Sequence, residues 1–213
     1  MSHGRLIIFE GVDGSGTTTQ VARLYEKLHT QGTPVLQTAQ PSSRPTGKLI
    51  RDILGGRQIE NPSYQTMSLL FAADRQDQQE NEILPAIKSG RHVVCDRYVH
   101  SSVLYQSVTC GDLSVQSWIK ELNRHIVPPD VIIYLRIDAE TAKSRRAARG
   151  GEEEIFDKTE FQKKLIAEYD RLSSIFPNDN IRTIDATQSI EQIEAEVWKW
   201  VKPLVGETSP DNG

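Results

Sequence analysis

Fifteen residues, 6–20 (LIIFEGVDGSGTTTQ), constrain the fold of this chain more than any other stretch. Leu6, Ile7, Ile8 and Phe9 form an apolar run of the kind that makes a parallel strand buried on both faces. Gly11, Gly14 and Gly16 follow, and glycine permits backbone conformations that other residues resist. After Gly16, the residues Val21, Leu24, Tyr25 and Leu28 recur at i, i+3, i+4 and i+7, the period of a helix with one buried face. Strand, glycine turn and helix N-terminus in that order aim backbone N–H groups and the helix dipole at one point, which makes an anion site. The spacing fits the phosphate-binding loop G-x-x-x-x-G-K-[ST], with Gly11, Gly16 and Thr18 in register. One position departs from it: Thr17 stands where the lysine would. A plain strand-to-helix turn would also account for the glycines, so the rest of the chain has to decide.

The 213 residues suffice for one α/β domain with a sizeable core, and a hydrophobic content of 37% with 25% charged residues is ordinary for a globular protein. A formal net charge of −4 gives no global basic field for a nucleic-acid polymer, whereas a small anionic ligand needs only local positive charge. Cys95 and Cys110 have no metal-ligand spacing, and Cys95 lies in an apolar run as a small buried hydrophobe; a reducing compartment fits. The first apolar run is too short for a signal peptide and no stretch has transmembrane length, so the expectation is a cytoplasmic protein without a membrane partner.

In chain order, helices are expected over 18–31, 47–54, 64–79, 83–88, 101–107, 114–125, 139–149, 159–173 and 190–201. Strands are expected over 6–10, 34–38, 92–96, 131–137 and 181–185. Five strands alternating with helices imply a doubly wound parallel sheet flanked by helices. One domain would span 1–205, followed by a polar tail at 206–213. In such a sheet ligands sit beyond the carboxyl ends of the strands, so Asp96 and Arg97, closing the third strand, should share an edge with the glycine loop. Arg145, Arg146 and Arg149 lead into Gly150-Gly151, a pattern that suits a lid at about residues 143–158 closing over transferring phosphates.

The blocks EGVD (Glu10 to Asp13), LLFAADR (Leu69 to Arg75) and CDRY (Cys95 to Tyr98), the last followed by Ser101, Ser102, Tyr105 and Gln106, stand out along the chain. With the stretch Arg145 to Gly150 and the late IDAT, Ile184 to Thr187, they resemble the thymidylate kinase family of phosphate-loop nucleoside monophosphate kinases over nearly the whole chain. The resemblance implies a P-loop kinase fold, ATP as phosphoryl donor, Mg²⁺, dTMP as acceptor and a homodimer. It also turns some readings around. Periodicity alone would make Phe71 a core residue and Arg75 a solvated charge; by resemblance Phe71 stacks on thymine and Arg75 donates to its carbonyl. Ser102 and Gln106, four apart on one helix face, would reach the base edge, and Tyr105 would pack where a ribose 2′-hydroxyl would sit. Asp13, a carboxylate inside a phosphate loop, would contact the sugar 3′-hydroxyl.

Arg51 and Arg97 are the cations that could hold the acceptor phosphate through paired hydrogen bonds. The donor phosphates would lie on Gly11, Gly14, Ser15, Gly16, Thr17, Thr18 and Thr19, with Thr18 ligating Mg²⁺. Asp96 either binds the metal, partly through water, or orients Arg97. The expected catalytic set is Arg97, Arg149 and Asp13. Two departures from the family pattern stand out: the acidic run Glu152, Glu153, Glu154 in the lid, and QPSSR (Gln40 to Arg44) in place of an EPGG-type turn, which leaves a phosphate contact near Arg44 unsupported. The expected function is phosphorylation of dTMP to dTDP with ATP and Mg²⁺. The alternative that Thr17 raises is a nucleotide-binding protein with weak or no kinase activity.

Overall fold

The computed structural model describes residues 3–57, 62–149 and 159–206, without the side chains of Arg149 and Thr159. Among them, five strands form one all-parallel sheet in the order β2-β3-β1-β4-β5. The strands are β1 (Leu6–Glu10), β2 (Val35–Ala39), β3 (His92–Asp96), β4 (Val131–Arg136) and β5 (Ile181–Asp185). The connections leaving β1 and β3 run to opposite sides, so the crevice between their carboxyl ends is the switch point where such sheets bind ligands. β1 is the centre of the molecule. Its five residues are fully buried, Ile7 and Phe9 facing one core cluster and Leu6 and Ile8 the other. That two-sided burial is what a continuous apolar run specifies, each such side chain contributing about 1.5–3 kcal/mol when withdrawn from water.

Ten helices cover the described part of the sheet's surroundings: α1 (Thr17–Thr30), α2 (Pro45–Leu54), α3 (Tyr64–Gln78), α4 (Leu84–Lys88), α5 (Val99–Cys110), α6 (Val115–Leu122), α7 (Ala139–Arg149), α8 (Thr159–Asp170), α9 (Leu172–Ile175) and α10 (Ile190–Val205). Several bounds differ from expectation. α3 and α4 are not separate pieces: a π segment, Gln79–Ile83, joins them. The helix expected over 159–173 breaks at Arg171, whose backbone leaves the helical region. Pro203, expected to lie outside the last helix, sits inside its C-terminal turns, where its missing N–H costs the helix one i→i−4 bond close to the end. α5 is longer than expected, and although it reads as polar, every residue from His100 to Ser107 is buried. Ser101 and Ser102 face partners on other elements, Glu10 and Tyr169 for the first and Arg75 for the second, rather than water. Of the expected lid, residues 150–158 lie outside the described residues, as does Asn61 of the expected helix-start signal.

Candidate functional site

The phosphate loop follows β1 directly. Gly14 and Gly16 take φ of 91° and 96°, left-handed values that a side chain would strain, and Gly16 is the N-cap of α1. At Gly14 space is also short: a Cβ there would come within 2.5 Å of the carbonyl oxygen of Ala142 on α7. Residues 12–20 line a cavity of about 470 Å³, which also includes Asp96, Arg97, Arg145 and Gln188 to Ile190. Of the residues expected at the donor phosphates, Gly14, Ser15, Gly16, Thr17, Thr18 and Thr19 lie in that wall. Gly11 is buried behind it, packed on Ser15. Thr17 begins α1 and is 6% exposed, so neither a charge nor a long side chain reaches over the loop from this position.

The eight residues expected around the acceptor nucleotide, Asp13, Arg51, Phe71, Arg75, Arg97, Ser102, Tyr105 and Gln106, all line a second cavity of about 320 Å³. They come from the loop after β1, from α2, α3 and α5, and from the end of β3. Asp13 and Arg97 belong to both walls, so the two cavities meet at this ion pair. Arg97 Nη2 lies 2.7 Å from Asp13 Oδ1, and Nη1 donates to Tyr105 Oη at 3.1 Å and Ser101 Oγ at 3.2 Å. The Tyr105 hydroxyl in turn donates to Asp13 Oδ2 at 3.2 Å. Burial works against the Arg97 charge, but Tyr105 and Asp13 outweigh it and hold its pKa well above the ordinary value. Burial pushes the Tyr105 phenol upward, so it stays protonated. Arg97 has a φ of 69°, a left-handed backbone in a non-glycine residue that costs about 1–3 kcal/mol and persists only when its surroundings hold it.

What holds it was not assigned in the sequence. The fully buried Glu10 carboxylate, last residue of β1, accepts the N–H groups of Tyr98 and Ser101 on Oε1, and the hydroxyls of Ser101 and Tyr169 on Oε2. Glu10 thereby fixes both the chain just after Arg97 and the first turn of α5, where a negative charge also suits the helix dipole. The one local signal was an acidic residue closing an otherwise apolar strand. Arg75 is likewise inside rather than solvated: it is 1% exposed, and burial lowers its pKa to about 10. Its Nε donates to Gln40 Oε1, Nη1 to Asn123 Oδ1, and Nη2 to Ser102 Oγ and the Tyr98 carbonyl. Gln40 and Asn123 are partners that no spacing rule could find.

Asp96 accepts the Thr18 hydroxyl at 2.6 Å, while its Oδ1 is buried without a partner among the described residues. Its expected role of orienting Arg97 is taken by Asp13, Tyr105 and Ser101, the groups the guanidinium bonds. An orphaned carboxylate oxygen beside the loop threonine fits a hydrated Mg²⁺, which characteristically takes one or two carboxylates plus substrate phosphates. Among the described residues there is no cluster of three or more acidic, His or Cys side chains that could hold a metal by itself. Arg51 donates to the carbonyls of Pro41 and Ser42. Arg44 pairs with Asp77 and lies outside both cavities, because α3 presents that carboxylate to it. On α7, Arg145 stands in the wall of the loop cavity, and Arg146 Nη1 donates to the Asp13 carbonyl at 2.7 Å. Arg149 ends α7, with its side chain outside the described residues; Lys158, in the charged segment beside the expected lid and a further candidate for the charge missing at Thr17, also lies outside them.

The "Thymidylate kinase" family model matches residues 9–197. A probable thymidylate kinase of Pyrococcus abyssi is 36% identical over 205 residues, covering 93% of this chain and 96% of that one. Another from Methanocaldococcus jannaschii is 37% identical over 206 residues, covering 96% and 99% respectively. Among solved structures, thymidylate kinase from Candida albicans superposes with a TM-score of 0.84 at 25% identity, over 96% of this chain and 93% of that one. No helix among the described residues is long and apolar enough to cross a membrane.

Proposed function

The chain belongs to the thymidylate kinase family, and from that premise we propose that it transfers the γ-phosphoryl group of ATP to the 5′-phosphate of dTMP, giving ADP and dTDP. The observation that carries this reading is the meeting of the two cavities at Asp13 and Arg97, one lined by a phosphate loop and the other by residues suited to a pyrimidine nucleotide. Backbone N–H groups of residues 14–18 hold the donor phosphates at the N-terminus of α1. Arg97 and Arg51 hold the acceptor phosphate, so the attacking oxygen lies beside the loop. Phe71 offers its face to the base, while Arg75, Ser102 and Gln106 offer donors to its edge. Tyr105, kept protonated between Asp13 and Arg97, fills the space a 2′-hydroxyl would need. Thr18 and Asp96 are the groups that would hold Mg²⁺, which supplies charge neutralisation at the donor phosphates. The transfer needs positioning and charge rather than covalent chemistry, so these contacts suffice in kind.

Thr17 is the departure that this reading must absorb. A threonine hydroxyl brings no charge, and deleting one preorganised donor at a transition state costs about 2.7–4 kcal/mol. Arginines from α7 supply the charge instead: Arg145 already stands in the donor wall, and Arg149 acts from the lid, with Lys158 as a further source. The second reading, a nucleotide-binding protein with weak or no activity, rests on Thr17 alone. A coupled assay of the native protein and Thr17→Lys, under saturating ATP, Mg²⁺ and dTMP, separates them. Clear native turnover is the expected result, with Thr17→Lys comparable. Binding of dTMP without native turnover, with turnover appearing in Thr17→Lys, would establish the second reading.

A further inference from the structure

α7 rests on the phosphate loop at two points one turn apart. Ala142, fully buried on this helix, sets its backbone so close to Gly14 that a side chain there would collide with its carbonyl. Arg146, four residues on and therefore on the same helix face, donates from Nη1 to the Asp13 carbonyl at 2.7 Å. The two contacts bracket the Asp13–Gly14 peptide. The helix that makes them is fixed at its start, where Asp138 accepts the N–H and the hydroxyl of Thr141 at 2.9 and 2.6 Å. β4, which leads into α7, pairs with β1, which leads into the loop, so both are carried on one frame. Arg145 stands in the wall of the donor cavity, but Arg146 lines neither cavity. Its bond goes to the backbone of the loop instead. The Asp13–Gly14 peptide is trans, and in a trans peptide the C=O and N–H point to opposite sides. A carbonyl held toward α7 therefore sends the Gly14 N–H the other way. Gly14 lines the donor cavity, and among the described residues nothing accepts this N–H. Because Thr17 brings no charge to the loop, more of the hold on donor phosphates falls on such N–H groups.

We infer that Arg146 is a positioning residue for the donor nucleotide: its bond to the Asp13 carbonyl fixes the peptide plane that aims the Gly14 N–H at an ATP phosphate. A cation on the carbonyl also polarises the peptide and strengthens that N–H as a donor. The Asp13 carboxylate is held separately, by Arg97 and Tyr105, so the acceptor cavity keeps its shape without Arg146. The inference rests on the proposed function only in taking the loop as the ATP site. The test uses the full chain and two variants, Arg146→Met, which keeps the stem without a donor, and Arg146→Lys, which restores one. The probe is β,γ-imido-ATP with Mg²⁺, which binds without turnover, titrated by calorimetry beside dTMP. Arg146→Met should bind the analogue about tenfold more weakly, the loss expected for one charge-assisted hydrogen bond, with dTMP affinity and the urea midpoint unchanged. Arg146→Lys should recover most of that loss. In the ligand-free proteins the Gly14 amide resonance should move in Arg146→Met and return toward its native position in Arg146→Lys. Unchanged analogue affinity in Arg146→Met overturns the inference, as does weakened affinity with the Gly14 resonance in place, which would mean that the arginine acts through charge alone. A loss shared equally by dTMP and the urea midpoint overturns it too, by making the contact a general support of the fold. Absence of dTMP phosphorylation by the native chain would remove the proposed function and leave these binding results standing.

Discussion

Replacing Glu10 by glutamine isolates the charge of the buried carboxylate that organises the site. Its donors are divided cleanly: the N–H groups of Tyr98 and Ser101, at 2.8 and 3.2 Å, fall on Oε1, and the hydroxyls of Ser101 and Tyr169, at 2.6 and 2.8 Å, fall on Oε2. A glutamine can keep its oxygen on the backbone pair and turn its NH₂ toward the hydroxyls, which lie 3.0 Å apart and can rotate to accept. The shape is therefore preserved and only charge assistance is lost. Hydrogen bonds to charged groups contribute about 1.5–3 kcal/mol and neutral ones about 0.5–1.5 kcal/mol, so the loss is about 1–1.5 kcal/mol per bond and at most about 4–6 kcal/mol over the four. Glu10→Ala would leave these donors unpaired at about 1–3 kcal/mol each, a sum comparable with the whole stability of a domain, and should not yield folded protein. Urea denaturation of native protein and Glu10→Gln, compared through the midpoint at constant m, measures the first effect. Because Arg97 holds its left-handed backbone between Phe9 and Tyr98, the same variant should lower kcat for dTMP more than it raises KM. A stability change below about 0.5 kcal/mol would refute the reasoning, since that is the scatter of substitutions away from any such feature.

Arg75→Ala should weaken dTMP binding by about 1–3 kcal/mol in calorimetric titration, and destabilise the fold as well, because it strands the buried amides of Gln40 and Asn123. Gly14→Ala joins a strained φ to a Cβ 2.5 Å from the Ala142 carbonyl, so α7 must shift; ATP affinity should fall at least tenfold by equilibrium titration. Arg149→Ala should lower kcat with little change in the KM for dTMP, as expected of a group acting in the transition state, and an unchanged kcat would pass that role to Arg145 or Arg146.

Local sequence determined the elements that local physics controls. An apolar run, three glycines and a 3.6-residue period were enough to place β1, the phosphate loop and α1, and strand–helix alternation was enough for the parallel sheet. The identities of the acceptor-cavity residues came from resemblance, because nothing in the spacing of Phe71 and Arg75 distinguishes a ligand-facing arginine from a solvated one. Tertiary structure alone decided how these groups are held. Asp13 and Arg97 are 84 positions apart, and Glu10 and Tyr169 are 159 apart. Such pairs are set by the order in which the strands cross over, not by any period along the chain. The same holds for α5, whose serines and glutamine look like a solvated face. Ser101 and Ser102 are buried because a carboxylate closing β1 and an arginine from α3 meet them there, and a buried polar group is stable only where the fold supplies its partner.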